Sequence, residues 1–380
     1  MGVFKKKNGS KQESSEEVTP DVAETDITLS NILGETGKEI TIGLIKEEDF
    51  GVLLPMIKNE DITDINWNGT QLWIDDIRKG RYLSEVVLSD VFIGEFSTRI
   101  SNVVSKAFNK YNPVLEAETD TLRISIVHES YAHTGRAISI RKTPAVKRIN
   151  WDNSFKNGSY CPEEVGYLLA NMVKAKSNIV VCGLPGVGKT ELVKFLTGFI
   201  EETQRVITIE DSLEIHYSEI NKGKDCVELK VGENFSYTDA IKACLRLRPD
   251  WIVLSEARSF EVKYLLESLS TGTNCLTTIH TDDVRKLPDR IKNMIGDNIA
   301  SDRVENEVYS FIDMAILIDR VIVDGRIERR VAQVGTFSRD GIENHCSVIY
   351  NDGKLDKGSL QTSIRNKLAM RGIKDPFKLG

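Results

Sequence analysis

Residues 183–190 read GLPGVGKT, preceded by the apolar run NIVVC (178–182) and followed by ELVKFLTGFI (191–200), which has helical spacing. The octet fits GxxxxGK[ST], and a strand before it with a helix after it is the context in which that spacing forms a phosphate-binding loop. Gly183, Gly186 and Gly188 let successive backbone N–H groups turn towards phosphate oxygens without a Cβ in the way, at a helix N-terminus whose dipole favours anions. In such a loop Lys189 neutralises the β- and γ-phosphates and Thr190 ligates Mg2+, so ATP and Mg2+ are the expected cofactors.

The loop dictates its surroundings. From residue 178 onward, strand-like and helix-like runs alternate: NIVVC, a helix over 189–202, RVITIE (205–210), a helix over 238–248, WIVLSE (251–256), a helix over 260–270, CLTTIH (275–280) and a helix over 302–312. Alternation at this spacing predicts a parallel sheet covered on both faces. Asp324-Gly325, between two alternating runs, predicts a hairpin. Before the loop the pattern differs: INWNG (65–69), QLWIDD (71–76), a helix-like stretch (94–109), LRISIV (122–127) and RAISIRK (136–142). These predict a smaller α+β domain.

At 380 residues the chain has room for two or three domains. The expected division is a disordered tail over 1–37 and an N-terminal α+β domain over 38–145. A linker over 146–158 then leads to an α/β phosphate-loop domain over 159–345 and a C-terminal extension over 346–380 in which no motif is legible. The start, MGVFKKKNGSKQ, has lysines but no apolar segment behind them, so neither a secretion signal nor a strong membrane anchor is expected there. Six scattered cysteines with no CxxC pair predict reduced, buried thiols. The net charge of −7 disfavours a protein that tracks nucleic acid, and no sequence-specific nucleic-acid binding is expected.

A phosphate loop needs an acid at the end of a neighbouring strand to act on water or the metal shell. Glu256 closes WIVLSE, with Ser255 where many such enzymes carry an Asp. Glu210, Asp211 and Glu214 close another strand in ITIEDSLEI, and His280, at the end of the next, is placed to orient water or sense the γ-phosphate. Two rival readings use the same loop: a nucleic-acid motor, which would need a basic groove, and an inactive ATP-binding scaffold, which would lack Lys189, Thr190 or Glu256. A GTPase is disfavoured because NKGKD (221–225) misses N-K-x-D by one position.

Three further stretches narrow the choice. CLRLRPDWIVLSEARSFE (244–261), IEDSLEIH and STGTNCLTTIHTDD resemble the arginine-rich approach, the Asp box and the His box of the type II/type IV secretion ATPases, the hexameric traffic ATPases of conjugation, pilus and secretion machines. DITDINWNGTQLWID and TGRAISIRK look like the two ends of that family's N-terminal domain. The resemblance implies a RecA-like core, a homo-hexamer and partners on an inner-membrane platform. It further implies a cytoplasmic protein held at the inner face of the membrane, and SIRK leans towards the conjugation and tight-adherence (Flp) pilus branch. By the same resemblance Glu256, Glu210 and His280 would be catalytic, and Asp211 would support the metal. Arg141 and Arg123 would reach nucleotide from the N-terminal domain, across a subunit boundary, and Arg246 and Arg248 would stand near the same site. Ser255, Ser259, Phe260 and Thr273 depart from the family pattern, and Thr273 puts in doubt any role for the first His of that box.

Overall fold

The structure is a computed structural model that describes residues 45–296 and 300–378; the tail expected over residues 1–37 lies outside them. The N-terminal domain contains α1 (Leu54–Lys58), β1 (Ile62–Trp67), β2 (Leu72–Asp76), β3 (Gly80–Leu83), α2 (Asp90–Val103), β4 (Val114–Glu118), β5 (Leu122–Val127) and β6 (Ala137–Lys142). Its strands form one antiparallel sheet in the order β3-β2-β1-β6-β5-β4. The alternation in LRISIV is physical: Leu122, Ile124 and Ile126 are buried, while Arg123, Ser125 and Val127 are partly exposed. Phe96 and Ile100 of α2 pack on that apolar face. The helix begins four residues earlier than the sequence pattern suggested, because the Ser89 hydroxyl caps it by accepting the Phe92 N–H.

The second domain holds α3 (Glu163–Lys174), β7 (Ile179–Cys182), α4 (Lys189–Thr197), β8 (Val206–Glu210), α5 (Tyr217–Ile220), β9 (Cys226–Lys230), α6 (Tyr237–Cys244), β10 (Trp251–Leu254), α7 (Glu261–Ser270) and β11 (Asn274–Ile279). It continues through α8 (Leu287–Ile295), α9 (Ser301–Phe311), β12 (Met314–Val323), β13 (Arg326–Asp340), β14 (Glu343–Asn351), β15 (Lys354–Leu355) and α10 (Thr362–Met370). The sheet order is β15-β14-β13-β12-β7-β11-β10-β8-β9, parallel from β12 to β9 and antiparallel beyond β12. Successive residues of one strand feed opposite cores. Trp251 and Val253 belong to one apolar cluster, Ile252 and Leu254 to the other. Burial on both faces is why these strands read as unbroken apolar runs. No helix among the described residues is long and apolar enough to cross a membrane.

Two expected boundaries move. Residues 346–380 are no separate extension: β14 and β15 continue the sheet, and Leu360, Ile364, Leu368 and Phe377 sit in the same core as α3. Asn171 in α3 donates to the carbonyls of Pro376 and Lys378, at 2.9 and 2.8 Å. The linker is also partly ordered into the core. Trp151–Phe155 forms a π-helical turn whose Phe155 is fully buried, 4.8 Å centroid to centroid from Phe195 and against Gly166. The stretch between β6 and that turn is tied to the second domain by side-chain contacts, Lys194 Nζ donating to the Pro144 carbonyl at 3.0 Å and Lys147 Nζ to Asn221 Oδ1 at 2.9 Å. The Asp324-Gly325 turn is as expected, both residues having positive φ (49° and 73°) between paired Val323 and Arg326.

All six cysteines are free, four of them buried, and burial pushes the Cys182 and Cys226 thiols up to about 12. The free thiols agree with the expectation, but Cys226 and Cys346 are half-buried where burial was expected.

Candidate functional site: a phosphate loop under the N-terminal domain

Parallel strands deliver their C-terminal ends to one edge of a sheet, and that edge is where the loop after β7, Glu210 at the end of β8, Glu256 after β10 and His280 after β11 all emerge. The loop glycines are required by conformation. Gly183 has φ of 146°, and a Cβ there would lie 2.6 Å from the Ile318 carbonyl oxygen; Gly188, just before α4, has φ of 93°.

At this edge the described residues form a continuous polar chain. Lys189 Nζ donates to the carbonyls of Gly183 (3.1 Å) and Leu184 (3.2 Å), and lies 3.1 Å from His280 Nδ1. His280 Nδ1 lies equally 3.1 Å from the Gly183 carbonyl oxygen, and its Nε2 is 2.7 Å from Glu256 Oε1, so an Nε2–H donates to the carboxylate whether Nδ1 accepts from Lys189 or, in the doubly protonated ring, donates to Gly183. Arg258 holds the other Glu256 oxygen at 3.0 Å and also reaches Asp211 at 3.0 Å. Both oxygens of Glu256 are thereby fixed in direction. Burial lowers the pKa of Lys189 against the opposing pull of Glu256. Burial also works against the charge of Arg258, but Glu256 and Asp211 hold it above its usual value. Arg258 was absent from the sequence-derived set, although it stands two residues past Glu256 in the same quoted stretch.

On the metal side one expected donor gains a partner. Thr190 Oγ1 lies 3.2 Å from Glu214 Oε2, so a hydroxyl and a carboxylate converge at the head of α4, hard oxygen donors that suit Mg2+. Asp211, assigned to the metal from sequence, is instead engaged by Arg258. Among the described residues no three His, Cys, Asp or Glu side chains form a metal cage. Thr190 and Glu214 are the oxygen donors placed to hold Mg2+, with phosphate oxygens and water to complete a shell.

Glu210 is placed differently from a reacting group. It is 2% exposed, and its Oε2 accepts the backbone N–H groups of Glu214 and Ile215, each at 3.0 Å. Burial raises its pKa to about 8. A buried carboxyl that accepts from its own following loop shapes that loop. Glu210→Gln, which keeps the acceptor, is therefore expected to retain ATPase activity within about threefold, whereas Glu210→Ala strands two buried N–H groups and costs roughly 2–4 kcal/mol in denaturant unfolding. Loss of activity in the Gln variant with unchanged stability would restore the catalytic assignment.

The arginines separate into three places. Arg141 and Arg123 are directly opposed on β6 and β5. Arg141 pairs with Asp64 at 2.8 Å, and burial works against its charge while Asp64 and, more weakly, Glu214 hold it above its usual value. Arg123 lies 3.8 Å from Glu118. Glu118 in turn takes Ser212 Oγ at 3.0 Å and Lys230 at 2.5 Å, docking the N-terminal domain on the strand ends of β8 and β9. Arg246 and Arg248 correct the sequence expectation: they are exposed in the loop that precedes β10, at the N-terminal edge of the parallel strands and so opposite the phosphate loop. Thr273, just before β11, stands at that same far edge. Sequence grouped them with the site because it gives order along the chain but not the end of a strand from which a loop departs.

The profile of the Type II/IV secretion system protein family matches residues 114–346. The chain belongs to this family. Among its relatives, an uncharacterized protein of Bacillus anthracis is 27% identical over 84% of this chain and 75% of its own length. A putative conjugal transfer protein of Mycobacterium tuberculosis is 24% identical over 69% of this chain and 78% of its own. The fold is similar to that of the ATPase DotB of Legionella pneumophila (TM-score 0.56, 17% identity, 90% of this chain and 92% of that one). It is also similar to the pilus retraction motor PilT with bound ADP (TM-score 0.54, 21% identity, 74% and 81%). The family resemblance read from the three boxes is thereby shown, together with the RecA-like core that the neighbours share.

Proposed function

We propose that this protein hydrolyses ATP to drive domain movement in a conjugation, type IV secretion or Flp-type pilus machine. The observation that carries the reading is the run from Lys189 through His280 to Glu256 and Arg258 at the mouth of the phosphate loop. ATP bound with Mg2+ supplies the transferable phosphoryl group and a metal that neutralises its charge. Glu256, fixed by His280 and Arg258, is oriented to position the attacking water and draw its proton. Lys189 leaves the carbonyls of Gly183 and Leu184 for phosphate oxygens, with Thr190 and Glu214 on the metal side.

The domain contacts convert this chemistry to motion. Arg141 is held by Asp64 and attracted by Glu214, so charge arriving at or leaving the head of α4 changes what Arg141 is attracted to. The ordered Trp151–Phe155 turn anchors the C-terminal half of the linker about which the domains would move. A homo-hexamer, contact with a membrane platform and a place on the cytoplasmic face of the membrane follow from family membership as parts of this proposal.

The test is the ATPase rate per subunit against protein concentration, for the native chain and for Arg141→Ala. A rate per subunit that climbs with concentration supports an assembled ring, and a fall of about tenfold or more in the variant supports Arg141 as a group that completes the site. A flat rate would sink the ring, and a rate indifferent to the variant would sink the role of Arg141.

A further inference from the structure

On the other flank of the phosphate loop the hairpin β12–β13 runs past the end of β7. Leu317 is the residue that pairs with Cys182, the last of β7, so residues from Ile318 onward stand beside the loop itself. The Ile318 carbonyl abuts Gly183. Farther along, Arg320 and Arg329 are directly opposed across the two strands and so share one face. The Arg329 stem covers Gly188, its Cδ 3.5 Å from where a Cβ on that glycine would lie. A third guanidinium, that of Arg148, acts on the same group.

Like charges directly opposed across strands destabilise a sheet unless something compensates them. The Arg123 and Arg141 pair has its carboxylates, Glu118 and Asp64. Among the described residues neither Arg320 nor Arg329 has an ion-pair partner. Glu191, the carboxylate within electrostatic reach of Arg329, is already shared by Lys194 and Arg148. Arg329 spends one N–H on the Ile77 carbonyl at 2.7 Å, and burial first, then its arginine neighbours, lower its pKa. The hairpin thus holds a concentration of positive charge beside a helix N-terminus, where an anion is favoured.

Topology says which part of a nucleotide would meet it. In the sheet β7 lies between β12 and β11, so Arg320 and Arg329 flank the loop on the side opposite His280 and Glu256. Resting on the reading of Glu256 as the group facing the γ-phosphate, we infer that Arg320 and Arg329 form a second anion arm that binds the α-phosphate end of the nucleotide. Because Arg329 also holds the Ile77 carbonyl, and the Ile327 N–H donates to Arg78 at 2.9 Å, this arm ties nucleotide occupancy to the seat of the N-terminal domain.

The experiment is calorimetric titration of the full-length chain with ADP and, separately, with inorganic phosphate, in the presence of Mg2+. A single phosphate can fill the loop but brings no second phosphoryl group to the hairpin. Arg320→Gln and Arg329→Gln are each expected to weaken ADP about tenfold while changing inorganic phosphate less than about twofold. Arg320 makes no bond to the N-terminal domain among the described residues, so its variant separates binding from any loosening of the Ile77 contact, and Arg329→Lys is expected to recover part of the loss. ADP affinity unchanged in both Gln variants, or equal losses for ADP and inorganic phosphate, overturns the inference. Lys189→Ala is the separate check on the site: if it leaves both ligands bound as before, the nucleotide reading itself fails, a result distinct from failure of the arginine variants alone.

Discussion

Replacing Glu256 with Gln is expected to lower the ATP hydrolysis rate by about 10²–10³-fold while leaving ADP affinity within about threefold. The amide keeps the size of the side chain and can still accept the His280 N–H through its oxygen, so the loop and its neighbours stay in place. What disappears is the negative charge that would draw a proton from water and that Arg258 and His280 now hold in position. Single-turnover hydrolysis together with ADP titration reads the two quantities separately. Equal losses in rate and affinity would mean that Glu256 supports the fold of the loop and not the chemistry. Hydrolysis at the native rate would move the role of base elsewhere.

The second large effect is structural. Phe155→Ala is expected to cost about 3–5 kcal/mol in denaturant unfolding, because the ring is fully buried among Phe195, Tyr160 and Gly166. Gly166 provides the sharper check. A Cβ at that position would lie 2.5 Å from Phe155 Cδ1, so Gly166→Ala is expected to cost roughly 1–3 kcal/mol in the native chain. It is expected to cost distinctly less when Phe155 is already Leu. Additive losses in the double variant would show that the ring and the glycine are not packed as described. Since this turn anchors the second half of the linker, the same variants are expected to reduce ATPase activity even where the protein remains folded.

The parts of the site that lie within one short stretch were legible in the sequence. GLPGVGKT carries its conformation in its own glycines, and strand-end residues Glu256 and His280 follow directly from apolar runs whose ends are visible. Arg258 was overlooked for want of a reason to look, since nothing in SEAR says that the arginine turns back on the glutamate. The Arg320 and Arg329 pair was in principle readable once Asp324-Gly325 is accepted as the turn, because residues equidistant from a two-residue turn are paired. Its meaning was not, because the overhang of that hairpin beside the loop depends on how β12 aligns with β7.

The C-terminal segment shows the same limit from the other side. Residues 352–380 have little periodic pattern because α10 buries only Ile364 and Leu368 of its own residues, and its place is fixed by a core built largely from elsewhere. Local sequence determined the phosphate loop, the order of strands and helices, the hairpin turn and the family, each through backbone conformation or apolar period. Tertiary structure alone decided which loops share an edge of the sheet. It put Arg246, Arg248 and Thr273 at the far edge, Glu210 beneath the loop, Glu214 beside Thr190 and the guanidiniums of Arg320 and Arg329 over its other flank. The physical reason is that a parallel strand separates its two ends by its whole length, and only the register between strands says which side chains meet there.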